Sequence, residues 1–199
     1  MKKQLLFLLI SSYSIFIYAQ ESYYDDVDLY LTGIDLRDAL ATKIISTHTN
    51  NLSYTPGIWN ACMVTDVNPS NSSEVLLIYG YENGTDGDVR NDRERGINSN
   101  GGSPGDWNRE HVFPNSLANP DLDQGGTDGP PNADAHNLRP CDAQTNSSRG
   151  NKLFIDGSGN SGATGTGWYP GDEWKGDAAR IIMYMYLRYG SQCLPTNVG

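Results

Sequence analysis

Two long polar stretches limit what this chain can fold into. Residues 82–106 and 119–134 are rich in Gly, Asn and Asp and show no apolar periodicity, so both read as exposed loops. Between them lies the segment 107–117. With 22 Gly and 10 Pro among 199 residues, and a hydrophobic share of 37%, much of the chain must be loop. The length suits one well-cored domain and is short for two.

Three segments carry regular patterns. Residues 32–48 read as a helix, because Thr32 and Asp35 resemble a capping box and Leu36, Leu40 and Ile44 recur every four residues. His48 falls in its last turn, where the helix dipole favours a cation. The run Glu74–Tyr79 is short, β-branched and aromatic, which predicts a buried strand. Near the end, Asp177 is placed to cap a helix that runs to about Tyr189 and stops at Gly190. Ile181, Ile182, Met183, Met185 and Leu187 leave that helix almost no polar face, so it is expected in the core.

The N-terminus looks like an export signal. Lys2 and Lys3 precede a nearly apolar run from Leu5 to Tyr18, and Ala19 is small enough for cleavage. The run is short for a membrane span, which needs roughly 18–20 residues. A signal peptide at 1–19 and a single domain over 20–199 are therefore expected, in a secreted or periplasmic protein with no membrane partner. Export to an oxidising compartment lets two of Cys62, Cys141 and Cys193 pair, though spacing does not say which. No C-x-x-C spacing offers a cysteine zinc site.

The formal net charge is −10, which argues against a broad basic surface for nucleic acid. It leaves room for a locally positive site, especially one completed by a bound cation. The basic residues Arg90, Arg93, Arg95, Arg109, Arg139, Arg149 and Lys152 all fall in the stretch from 90 to 152.

Three pieces in that stretch combine base-type or ligand-type side chains with an arginine. They are Trp107-Asn108-Arg109-Glu110-His111-Val112-Phe113-Pro114, Asp134-Ala135-His136-Asn137-Leu138-Arg139-Pro140, and Asn146-Ser147-Ser148-Arg149-Gly150-Asn151. Phosphodiester hydrolysis needs such a set: a base for water, a hard cation for developing charge, and a cationic side chain for the phosphate. Histidine suits the base role through its pKa of about 6.5. Oxygen ligands from Glu and Asn suit magnesium.

In their order and spacing these pieces resemble the bacterial endonuclease I family, secreted or periplasmic nucleases of the His-Me finger (ββα-metal) group. The resemblance extends to the 32–48 helix, Ser53-Tyr54, the Val75–Tyr79 strand and Lys175-Gly176-Asp177 with Ala179-Arg180 and Tyr184. It implies an α+β fold with a ββα-metal core and surrounding helices, acting as a monomer on DNA or RNA with little sequence preference. It implies His111 as general base and Glu110 and Asn146 as ligands of magnesium, with manganese or calcium as alternatives, giving 5′-phosphate products. Arg149 and, less strongly, Arg109 are the phosphate-binding candidates, and His136 and Asn137 are expected to orient the site. Relatives in that family continue past the last helix into an Arg-Asn-rich segment, so truncation after Gly199, with a loss of stability, is also expected.

Two other classes compete. Twelve Tyr and four Trp in an exported acidic chain also fit a carbohydrate-binding or adhesive module, which needs aromatics on an open face. A glycosidase would pair Glu110 with an Asp. One geometric difficulty stands against the nuclease reading. In a regular strand the neighbours Glu110 and His111 face opposite sides.

Overall fold

In the computed structural model, which describes residues 21–199, the polar stretches are largely loops and the regular elements between them are short. The expected signal peptide at 1–19 lies outside the described residues. After the short α1 (Glu21–Tyr24), α2 spans Gly33–Thr47. Thr32 occupies the N-cap position with extended backbone, but its side chain makes no capping bond, so the capping box does not form. Asp35 in the first turn faces the positive end of the dipole instead. Leu36, Leu40 and Ile44 share a half-buried stripe against the C-terminal helix, and no α2 residue is fully buried.

α3 (Trp59–Thr65) leads into an antiparallel sheet of β1 (Val67–Asn68), β2 (Asn71–Leu76) and β3 (Glu94–Gly96), in the order β1-β2-β3. The strand expected at 74–79 thus begins earlier and loses its ladder after Leu76. Leu77 and Ile78 stay buried as the chain turns, and their amides bond the Arg93 and Pro140 carbonyls, which ties this sheet to the next strand pair. Periodicity reports burial here, and burial continues where pairing stops. β3 also corrects the reading of 82–106 as pure loop; Arg95 anchors it through an ion pair to Asp142 at 3.2 Å. Gly80 is required by contact, since a Cβ there would meet the Asp92 carbonyl at 2.3 Å.

The central hairpin pairs β4 (Trp107–His111) with β5 (Leu138–Asp142), from Trp107 opposite Asp142 to His111 opposite Leu138. It lies between two apolar clusters. Trp107 and Leu138 pack with Ile58, Cys62, Val75 and Leu77 on one side. Cys141 and the continuation Val112-Phe113 pack with Ile78, Trp168, Trp174, Ile181 and Met185 on the other.

β5 passes directly into α4 (Ala143–Arg149) because Asp142 caps it, accepting from Gln144 N and Thr145 N at 2.9 Å each. Gly150, at φ 54°, ends the helix. A small hairpin, β6 (Gly162–Thr164) and β7 (Gly167–Tyr169), precedes α5 (Lys175–Tyr189). Asp177 sits in the first turn of α5 and does not cap it, the N-cap position being Trp174. Met183 is 47% exposed, so α5 is a one-sided core helix and not the fully buried one its composition suggests.

All three cysteines are free and buried, with Cys62 in one cluster and Cys141 and Cys193 in the other. No pairing of the kind expected from export forms. Burial pushes the Cys62 and Cys193 thiols up to about 12, which suits small apolar core residues better than reactive ones.

Candidate active site

Strand alternation sorts the side chains of β4 onto two faces. Asn108 and Glu110 point toward α4, whereas Arg109 and His111 point toward Tyr54. The difficulty raised by the Glu110-His111 neighbours is therefore real in the folded chain. The pair sits at the end of β4, where the ladder to β5 stops with His111 opposite Leu138.

On the α4 face, Glu110 is 2% exposed. Its Oε1 accepts from the Tyr79 hydroxyl at 3.2 Å and lies 3.3 Å from Arg149 Nη1. Both contacts fall on Oε1, which leaves Oε2 for another partner. Burial pushes the Glu110 carboxyl up to about 7, against the pull of Arg149 and Tyr79. Asn146 donates from Nδ2 to Asn108 Oδ1 at 2.6 Å, a bond that fixes its amide. Glu110 and Asn146 both carry hard oxygen donors, and a donor set of that chemistry fits magnesium better than a softer ion.

On the opposite face, His111 Nε2 lies 2.9 Å from the Asn132 carbonyl. A carbonyl only accepts, so Nε2 carries the hydrogen and Nδ1 keeps its lone pair. The ring stacks on Tyr54 at 15° between planes and 5.8 Å between centroids. Burial lowers the His111 pKa below its ordinary value; the Asn132 bond opposes this and the Arg109 cation adds to it. Arg109 is held between Tyr54 and Trp59, with its guanidinium carbon 3.7 and 4.2 Å from the ring centroids. It also donates to the Tyr54 carbonyl and Thr55 Oγ1.

The two arginine candidates are held in different ways. Arg149, expected on a helix face open to phosphate, is 1% exposed. Its guanidinium donates to the carbonyls of His111 (3.1 Å), Gly150 (3.1 Å) and Val112 (2.8 Å). Helical spacing placed it near Asn146 correctly but could not show that α4 presses that face onto β4. Arg90, Arg93, Arg95 and Arg139 also meet carboxylates. Arg109 alone among the central arginines has no carboxylate partner among the described residues.

Asn137 is fully buried and clamps the chain just after His111. Its Oδ1 accepts from Phe113 N at 2.8 Å and its Nδ2 donates to Phe113 O at 3.1 Å. Asn137→Ala orphans both groups, each at about 1–3 kcal/mol. A stability loss of roughly 2–4 kcal/mol is expected in urea denaturation; a loss under 1 kcal/mol would deny the clamp. His136 is placed elsewhere. Its side chain is 62% exposed, stacks on Tyr184 at 4.5 Å and meets Asp134 at 3.2 Å, with no contact to His111.

Sequence reasoning missed four contributors. Asn108 shares a face with Glu110 by two-residue spacing, a signal that was available. The Asn132 carbonyl, the Tyr54 ring and the Tyr79 hydroxyl come from distant segments with no pattern to mark them. Tyr79 is also the single non-glycine residue with positive φ among the described residues, at 73°. Such a conformation costs on the order of 1–3 kcal/mol and is typical of functional sites.

Comparison with known proteins places this geometry in context. The family model for Endonuclease I matches residues 32–198. An extracellular ribonuclease of Bacillus amyloliquefaciens is 41% identical over 175 residues, covering 85% of this chain and 54% of its own length. An extracellular ribonuclease of Bacillus subtilis (strain 168) is 40% identical over 177 residues, covering 83% and 55%. The chain spans about half the length of these curated relatives. No solved structure matches it. The matched span takes in α2, the β4–β5 hairpin, α4 and nearly all that follows, so every residue of the site lies inside it, and the chain belongs to the Endonuclease I family.

Proposed function

We propose that this chain is a secreted, metal-dependent nuclease that hydrolyses phosphodiester bonds of RNA and DNA, leaving 5′-phosphates. The observation that carries the reading is the His111–Asn132 bond. It fixes the imidazole tautomer and leaves Nδ1 free to take a proton from water. Arg109, on the same face of β4, is the phosphate-binding residue, its guanidinium oriented by Tyr54 and Trp59. Glu110 and Asn146 are the ligands for magnesium, with manganese or calcium as substitutes. When bound, such a cation supplies stabilisation for negative charge on the leaving oxygen. Asn137 and Asn108 orient the two halves, and Arg149 supports Glu110 from within the core.

β4, β5 and α4 follow one another as strand, strand and helix, with α4 packed on both strands. This order supports identifying them as a ββα-metal, His-Me finger core. The relatives' description as extracellular supports export, and among the described residues no helix is long and apolar enough to cross a membrane. The adhesive-module alternative loses support because Arg109 packs against the rings of Tyr54 and Trp59, so one face of each is already occupied.

Attack by water needs no 2′-hydroxyl, so DNA is expected to be cut as well as RNA. Contacts to phosphate carry no base information, so little sequence preference is expected. The test is digestion of plasmid DNA and single-stranded RNA with magnesium or with EDTA, followed by end analysis. Cleavage of both polymers that stops in EDTA and leaves 5′-phosphates supports the reading. RNA-only cleavage with 2′,3′-cyclic ends, or cleavage unaffected by EDTA, would reject it.

A further inference from the structure

A second cluster of ligand-type side chains lies away from Glu110 and Asn146. His48 ends α2, Asp134 and His136 precede β5, and one potential ligand atom from each lies within 4.8 Å of the others. The geometry points to a binding site for a borderline transition-metal cation, zinc in the first instance, built from these three residues.

The hydrogen bonds already prepare both rings. Tyr184 gives its hydroxyl proton to Asp134 Oδ2 at 3.0 Å, so its oxygen accepts from His48 Nδ1–H at 3.1 Å. His136 Nδ1–H faces Asp134 Oδ1 at 3.2 Å. Both imidazoles therefore keep a lone pair on Nε2. Two imidazole nitrogens beside a carboxylate select zinc, cobalt or nickel over magnesium. Asp134 is fully buried and also accepts from Tyr189 at 2.6 Å, while Arg188 lies 3.6 Å away. A ligating carboxylate is ordinarily held in place by hydrogen bonds of its own, as Asp134 is here.

Ligand atoms around tetrahedral zinc stand roughly 3.3 Å apart, given bonds of about 2.0–2.1 Å. The cluster must tighten from 4.8 Å, and His136, with its side chain 62% exposed, has the freedom to do so. Water completes the coordination from a cleft of about 560 Å³ that opens beside both rings and is lined in part by Tyr23 and Ile44. The ion would join α2 to the segment before β5. That consequence is physical, because α2 has no fully buried residue of its own to hold it. Metal binding of this kind adds directly to folded-state stability.

The experiment uses the full chain, stripped with EDTA, dialysed, and supplied with excess magnesium so that the Glu110–Asn146 pair is satisfied. Zinc is then titrated against a chromophoric chelator, and cobalt(II) is added separately to read the visible spectrum of a tetrahedral site. One equivalent of zinc, an intense cobalt spectrum and a zinc-dependent rise in Tm are expected for wild type and for His111→Ala. His48→Ala and His136→Ala should each weaken zinc binding at least tenfold and abolish the Tm rise. His136 is exposed, so its variant should fold and decides the matter if His48→Ala does not. No zinc binding by wild type, or binding retained by His136→Ala, or binding lost in His111→Ala, would overturn the site.

Discussion

His111→Ala is expected to slow phosphodiester hydrolysis by roughly 10²–10⁴-fold, the usual worth of a positioned general base. The fold should survive, since the variant loses one hydrogen bond to the Asn132 carbonyl and one stacking contact with Tyr54, and no core-cluster residue. A melting curve close to wild type beside lost cleavage would therefore assign the loss to chemistry. The pH profile adds an independent readout. The base must be neutral to act, and burial lowers the His111 pKa below its ordinary value. The neutral ring then persists to lower pH, so at saturating magnesium the acid limb of kcat/KM should fall below about 6.5, the ordinary histidine value. An unperturbed histidine would put that limb at 6.5 itself.

At limiting magnesium the limb should move upward. Burial pushes Glu110 to about 7, and a protonated carboxyl cannot hold the ion, so protons and metal compete for it below that pH. A limb that ignores magnesium concentration would separate Glu110 from metal binding. A rate in His111→Ala within threefold of wild type would remove His111 from the reaction, whatever its pH behaviour.

Much of this site was legible because local sequence carries its chemistry. Asn108 through His111 form one strand, and Asn146 follows Asp142, whose side chain caps α4 as its residue type predicts. The long-range parts were not legible. Nothing in residues 119–134 marks Asn132 as the partner that fixes the His111 tautomer, because a backbone carbonyl is supplied by every residue. His136 illustrates the reverse problem. It stands beside Asn137 in sequence, yet the chain turns between them, so one side chain enters the core and the other faces Tyr184 and His48.

The same limit governed the elements. The apolar stripe of α2 was visible at four-residue spacing, but whether Thr32 bonds the helix end depends on a rotamer, and it does not. Composition overstated the burial of α5 because Met183 is apolar and still 47% exposed. The export expected from the N-terminus suggested that two of the three cysteines pair; instead all three are free, and Cys62 lies in a different apolar cluster from the other two.

Arg149→Met is expected to destabilise the protein by about 3–5 kcal/mol, the cost of leaving a buried charge without its partner. The guanidinium does three things at once within the core. It neutralises Glu110 at 3.3 Å, and it donates to the carbonyls of His111 and Val112, which fix the end of β4. Methionine fills the space beside Phe154 but satisfies none of these groups. Lysine restores the charge without the planar fork that reaches two carbonyls, so Arg149→Lys should recover only part of the loss. Removing the cation also removes its downward pull on Glu110, so the carboxyl should titrate above 7 and magnesium affinity should fall at neutral pH. The double variant Arg149→Met/Glu110→Gln should be more stable than Arg149→Met alone, because a neutral amide needs neither a counter-ion nor the proton that the buried carboxyl must take up on folding. Urea denaturation of the four proteins, with magnesium titrations beside it, measures each of these effects. A residue whose task is to hold phosphate from solvent would behave otherwise: KM would rise, stability would stay within about 0.5 kcal/mol of wild type, and the glutamine substitution would rescue nothing.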